Sequence, residues 1–423
     1  MKSTSFIIAG LLLAVNGLFA QNNPTLTLEQ CYHFATTNTP LAQQKALTVT
    51  AGSLLEKNQG LNWLPQVNVN AQVTYQSEVT SFPVKLPGIN VEELSKDQYK
   101  GTLEITQPIY DGGIISSQKK LQSIAAGIES QKVEIDLYQL KSKVNACFFT
   151  ALLMDENLRL MQFVINDLDN NIKKVSAQAK NGIATNSNVD VLKAEQLKAL
   201  QQVIGFKATK NAAVEMLEIL TATSIDSNTV FEKPAQITVS ADTIMQRPEL
   251  KLFDFQKQQF RQQTKLINAK ANPKFSFFTT GGYGRPGLNM LKNEFQWYYL
   301  GGVKLTIPII SQFTKHKEKD VIKIQEQIVD RQRENFLNNN RQVLSQQKNE
   351  IEKYKALVNS DEAIVQLRKK IKDNASFKLA NGIITSTDYI TEMNAENQAM
   401  LNQKLHEIQW LQAQYNYQLI LGK

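Results

Sequence analysis

The sequence predicts a mostly helical chain with a small membrane β-barrel contribution, built as a tandem duplication. Three observations lead there. Proline breaks helix interiors, and none occurs between Pro108 and Pro234 or after Pro308. Short alternating segments of strand character lie outside those two stretches. Landmarks also recur at a fixed distance: Asn181-Gly182-Ile183 and Asn381-Gly382-Ile383 stand 200 residues apart, as do Thr106/Thr306, Pro108/Pro308 and Ile109/Ile309.

The chain opens with Lys2, a short apolar run from Phe6 to Phe19, and Ala20 as a cleavage point. Residues 1–20 therefore read as a secretory signal peptide. After it, no apolar run reaches the roughly 18 residues of a membrane helix, so any membrane span must be made of strands. The net charge of +8 raises the question of nucleic acid. Export and the lack of a compact Lys/Arg block argue against such a partner. Cys31 and Cys147 make no disulfide framework and read as small buried residues.

The first repeat, 21–223, begins with a helix near Pro40–Gly60 and continues with strands at 64–76 and 99–109. Val67, Val69, Ala71, Val73 and Tyr75 share one strand face, and Asn68, Asn70 and Gln72 the other. About ten residues suffice for a tilted strand to cross a bilayer. Next comes a long helix, 114–180. Leu137, Val144, Ala151, Leu158, Ile165 and Ile172 recur every seven residues, as do Leu140, Cys147, Met154, Met161, Leu168 and Val175. That is a coiled-coil seam. A tip and a helix at 187–223 complete the repeat.

Residues 224–246 break the helical pattern and link the two repeats. The second repeat, 247–423, has strands at 273–284 and 297–309 and helices at 312–380 and 386–421. Leu337, Leu344, Ile351, Val358 and Val365 keep the seven-residue step. Aromatic residues cluster near strand ends: Trp63, Tyr75, Tyr99, Tyr110, Tyr283, Trp297, Tyr298 and Tyr299. Four strands cannot close a barrel in one chain, so a membrane barrel needs several chains.

Asn-Gly at each tip supplies the left-handed residue that ends a helix, and the following Thr/Ser starts the next one. Enzyme motifs are absent. "GGYGRPG" at 281–287 lacks the Gly-Lys-Ser/Thr of a phosphate loop and reads as a tight barrel loop. His33, His316 and His406 have no ligand spacing, so neither metal nor cofactor is expected. Asp190 and Asp388 each sit near the start of a helix, where the helix dipole favours acids.

The chain resembles the TolC-like outer-membrane efflux proteins. The residues that carry this are "LTLEQCYHFATTNTPL" near the start, "LEITQPIYDGG" at the second strand, and the tips "NGIATNSNVDVLKAE" and "NGIITSTDYITEMNAE". The resemblance implies a homotrimer, with four strands per chain in one twelve-stranded barrel and a long α-helical coiled-coil tunnel in the periplasm. It implies an equatorial place around that tunnel for residues 224–246. It implies an outer-membrane exit duct of an efflux or type I secretion system, in contact with outer-membrane lipid. A periplasmic adaptor (membrane fusion) protein would dock at Asn181, Gly182, Ile183, Asn381, Gly382 and Ile383, and an inner-membrane transporter would supply the energy. Asp388 and Asp190 become candidates for a carboxylate ring at the pore constriction. The alternative is a secreted or periplasmic structural coiled-coil protein without a barrel.

Overall fold

The structure is a computed structural model that describes residues 25–80, 94–226, 229–238 and 244–423. The expected signal peptide 1–20 lies outside the described residues, as do 227–228 and 239–243 of the expected linker. The chain order is β1 (Thr25–Leu26), α1 (Leu28–Thr37), α2 (Pro40–Gly60), β2 (Gln66–Tyr75), β3 (Asp97–Tyr110), α3 (Ile114–Lys180) and α4 (Asn186–Thr221). It continues with β4 (Val230–Phe231), α5 (Pro248–Lys270), β5 (Lys274–Arg285), β6 (Gln296–Thr306), α6 (Ile309–Ala380) and α7 (Ser386–Leu421). Among the described residues no helix is long and apolar enough to cross a membrane.

The chain forms two compact units, and these cut across the expected repeats. One comprises Thr36–Ser142, Thr238–Glu352 and Ala413–Lys423. It holds an antiparallel four-stranded sheet in the order β2-β3-β5-β6. Strand alternation gives this sheet two unlike faces. Val69 and Val73 pair with Leu103 and Tyr99, and Phe277 and Tyr283 pair with Val303 and Trp297. These apolar side chains share one face and lie open to solvent, Val69 at 80% and Tyr299 at 84%. The opposite face carries Asn68, Asn70, Gln72, Thr102, Ser276 and Thr280.

Three expectations about the sheet need correction. The last strand, expected over 297–309, ends at Thr306. Pro308 has no N–H for a ladder and is suited to the residue just before a helix, so α6 starts at Ile309 rather than 312. Gly281–Gly284 lie inside β5 and not in a loop. A Cβ on Gly282 would meet the Tyr298 ring at 2.4 Å, and one on Gly284 the Tyr99 carbonyl at 2.5 Å. Those glycines let strands and a large side chain approach closely. Finally, Tyr298 faces away from the Trp297/Tyr299 side, because it pairs with Gly282.

The sheet is tied to its helices by side chains at the strand ends. The Asp111 carboxylate accepts from the Gly113 amide at 2.8 Å and from the Ile115 amide, which caps α3. Asn272 Nδ2 donates to the Gly112 carbonyl at 3.0 Å, and Gln312 Nε2 to the Ala271 carbonyl at 2.7 Å.

The other unit comprises Met1–Ala35, Lys143–Ile237 and Lys353–Gln412, as far as these are described. β1 and β4 pair in parallel within it. Phe148 of α3 meets Phe231 of β4 edge to face, with ring centroids 5.4 Å apart. None of the twelve heptad residues of α3 is exposed. The buried face is wider than the seam, because Phe148, Phe149, Leu152 and Val164 are buried as well. Cys31 and Cys147 are buried free thiols. Burial pushes the Cys31 thiol up to about 12 and also raises Cys147, which keeps both unreactive.

Candidate functional site: two helical hairpin tips

α3 and α6 both end in the same turn. Gly182 has φ +78° and Gly382 φ +69°, a region open to glycine and strained for side chains that carry a Cβ. The Ile183 amide reaches the Gln178 carbonyl at 2.9 Å, and the Gly182 amide the Ala179 carbonyl at 3.1 Å. Ile383 and Gly382 repeat this with Lys378 and Leu379 at 2.9 and 3.0 Å. Both turns are Schellman motifs, which satisfy the last carbonyls of a helix. Ile183 and Ile383 sit just past them, 66% and 65% exposed. The tips touch: Gln178 Nε2 donates to the Ala380 carbonyl at 2.7 Å.

The two following helices start differently. At α7 the Asp388 carboxylate accepts from the Thr385 amide at 2.9 Å and from its hydroxyl at 2.7 Å. The Asp388 amide donates back to the Thr385 hydroxyl at 3.2 Å. This is a capping box with Asp in the third helical position. At α4 Thr185 has extended backbone and makes no side-chain cap. The residue in the equivalent position is Asn188, and Asp190 lies two further on, on the exposed surface. The two tips keep the same length, α4 and α7 both starting four residues after their glycine, so the difference is Asn188 standing where α7 has Asp388.

Beneath the tips, a mixed core joins α3, α4, α6 and α7. Leu168, Leu192 and Tyr389 are fully buried in it, with Met161, Val175, Leu379 and Met393. Tyr389 is also polar here. Its hydroxyl donates to Asp167 Oδ2 at 2.8 Å and accepts from Asn171 Nδ2 at 2.9 Å. Lys372 Nζ lies 3.5 Å from Asp167, 3.4 Å from Glu396 and 3.4 Å from Asp373. Burial lowers the Lys372 pKa, but Asp167, Glu396 and Asp373 outweigh it and raise it overall. Lys372 therefore stays charged, between carboxylates from three helices.

Three comparisons bear on this architecture. Residues 37–223 match the family model described as Outer membrane efflux protein. No curated protein matches the chain. Among solved structures, the CmeC outer membrane channel of Campylobacter jejuni is 14% identical with a TM-score of 0.67, over 93% of this chain and 85% of CmeC. The outer membrane protein VceC of Vibrio cholerae is 14% identical with a TM-score of 0.64, over 93% of this chain and 94% of VceC. The MtrE outer membrane channel of Neisseria gonorrhoeae is 14% identical with a TM-score of 0.67, over 93% and 88%.

The chain shares the fold of these outer membrane channels.

Asn181, Gly182, Ile183, Asn381, Gly382 and Ile383 lie together at the touching tips, and all six are exposed. Asp190 and Asp388 are exposed too, but only Asp388 is held in a cap. The Lys372 network was missed in the sequence. Its signal was present: Lys372 takes the next seven-residue step after Val365, so a cation occupies a seam position. A lone lysine in a heptad seam calls for buried partners.

Asp388 gives a pH-dependent expectation. The Thr385 side-chain hydrogen bond, then the Thr385 amide, hold its carboxyl below the usual range. A depressed folded pKa adds stability above the unfolded value of about 3.9 and loses it as pH falls through the folded value. Protection of the amides at the start of α7, measured relative to the intrinsic exchange rate at each pH, should therefore fall in wild type at acid pH. In Asp388→Asn that acid step should be absent. An identical acid profile in both would remove the cap from this role.

Proposed function

We propose that the chain is one protomer of a passive, homotrimeric outer-membrane duct for efflux or type I secretion. The observation that carries this is the two-faced sheet. One face is mostly polar, with Phe278, Tyr298 and Leu300 among its Asn, Gln, Ser, Thr and Lys residues, and the other exposes Val67, Val69, Phe277, Trp297, Tyr299 and Val303. Such a face is costly in water and suited to lipid. β2 and β6 are the edge strands of the sheet. Open edges are not tolerated in a bilayer, and pairing β2 of one chain with β6 of the next removes them. Three copies give twelve strands. The family match over 37–223 and the fold shared with outer membrane channels support this reading.

On this reading the chain is a tandem duplication, and its helices form a periplasmic tunnel that ends at the tips. A periplasmic adaptor docks at residues 181–183 and 381–383, whose exposed isoleucines and turn amides form its landing surface. An inner-membrane transporter supplies the energy. Asp388 and Asp190 contribute charge at the narrow end, and the chain performs no catalysis of its own.

Purified protein reconstituted in planar bilayers tests the duct. Discrete, uniform conductance steps are expected. Protein that inserts stably yet conducts nothing would contradict the proposal, unless removing the tip charges by Asp388→Asn opened it.

A further inference from the structure

We propose that the bore of the barrel prefers anions, and that Lys274 and Lys304 set this preference. The inference rests on the barrel reading above, in which the polar face of the sheet lines the bore. Strand register assigns each charged residue to a face. Lys274 pairs with Thr306, Lys304 with Ser276, Glu104 with Thr280, and Lys100 with Gly284. All four stand on the polar face. The other charges within the paired strands, Asp97 and Arg285, lie on the opposite face and form an ion pair with each other. The polar face thus carries three lysines against one glutamate per chain.

Their placement adds to the count. Lys274 and Lys304 lie on neighbouring strands, two rungs apart, at the end of the sheet that joins α5 and α6. They share a hollow of about 580 Å³ with Glu104 and Asp111. The Asp111 carboxylate is engaged by the amides that open α3. Among the described residues neither lysine has a carboxylate within ion-pair distance. Lys100 lies further along, with its ammonium 5.8 Å from the centre of the Tyr298 ring.

Threefold symmetry turns each lysine into a ring of three. Rings of Lys or Arg favour anions in pores, and low-dielectric walls focus their field on the lumen. At physiological salt the screening length is about 8 Å, so charges facing the bore dominate. The favoured cargo is a solute bearing carboxylate, sulfate or phosphate groups.

The test is the chloride-to-potassium permeability ratio of the full-length protein in planar bilayers under a KCl gradient. Because Asp388 and Asp190 bear the opposite charge elsewhere, the change between variants is the readout. Lys274→Gln with Lys304→Gln should lower the ratio about threefold, and Glu104→Gln should raise it. Lys274→Arg with Lys304→Arg should keep the wild-type ratio. An unchanged ratio in the double Gln variant would overturn the proposal while leaving the duct intact, and so would an equal fall in the double Arg variant. Inserted protein without conductance, in wild type and in Asp388→Asn alike, would overturn the duct reading, and this inference with it; if only Asp388→Asn conducts, the Lys variants are read in that background.

Discussion

Leu168→Asp should abolish assembly of the protein. Leu168 is fully buried in the core shared by α3, α4, α6 and α7. A carboxylate there has no designed partner, and Asp167 next to it already serves Tyr389 and Lys372. Leaving a charge unpaired in such a site costs several kcal/mol, a large share of the roughly 5–15 kcal/mol that holds a domain folded. Lys173→Ala is the control. Lys173 is 72% exposed and pairs with Asp169 at 2.6 Å, one turn away on the surface. Such pairs are worth about 0.5 kcal/mol or less. Membrane-inserted oligomer should vanish for Leu168→Asp and persist for Lys173→Ala. Equal yields would mean that the seam does not hold the hairpins.

Gly182→Val combined with Gly382→Val should abolish export while leaving abundance and oligomeric state near wild type. A Cβ at Gly182 would meet no atom within 4 Å, and one at Gly382 only Ile183 Cγ2 at 3.8 Å. Space is therefore not the obstacle. The backbone is: a left-handed conformation costs an L-residue roughly 1–2 kcal/mol, and more for a branched one. The turn should rearrange, displacing the exposed Ile183 and Ile383 from their places. The damage should stay local, because each tip is a loop beyond the packed core. Drug sensitivity of cells carrying the double variant is the measurement. Normal resistance at normal abundance would reduce the tips to connectors.

What the sequence disclosed follows the range of each interaction. The heptads of α3 and the Asn-Gly turns are local patterns, and a helix of 67 residues leaves little freedom in reading them. The ends of α3 and α7 stand where the pattern puts them. The sheet was legible as alternation, since Val67 to Tyr75 need no partner to reveal their two faces. Its neighbours were not, because β3 pairs with β5 far along the chain, from Tyr99 with Arg285 to Tyr110 with Phe275. The same holds for the Tyr389–Asp167–Lys372–Glu396 network, whose members come from three helices. "GGYGRPG" misled because glycine serves both turns and close strand packing. The Tyr298 ring over Gly282 and the Tyr99 carbonyl against Gly284 decide between them. The capping role of Asp388 was readable as Thr-x-x-Asp, yet Thr185 lacks it because Asn188 stands in the matching place.

The central claim is that this sheet is one part of a barrel closed by identical chains in a membrane. Native mass measurement of the protein extracted from outer membranes in detergent tests it most directly. The account predicts a complex of three chains that precipitates or dissociates when detergent is removed. A monomer, or an assembly that remains soluble and unchanged without detergent, would contradict it.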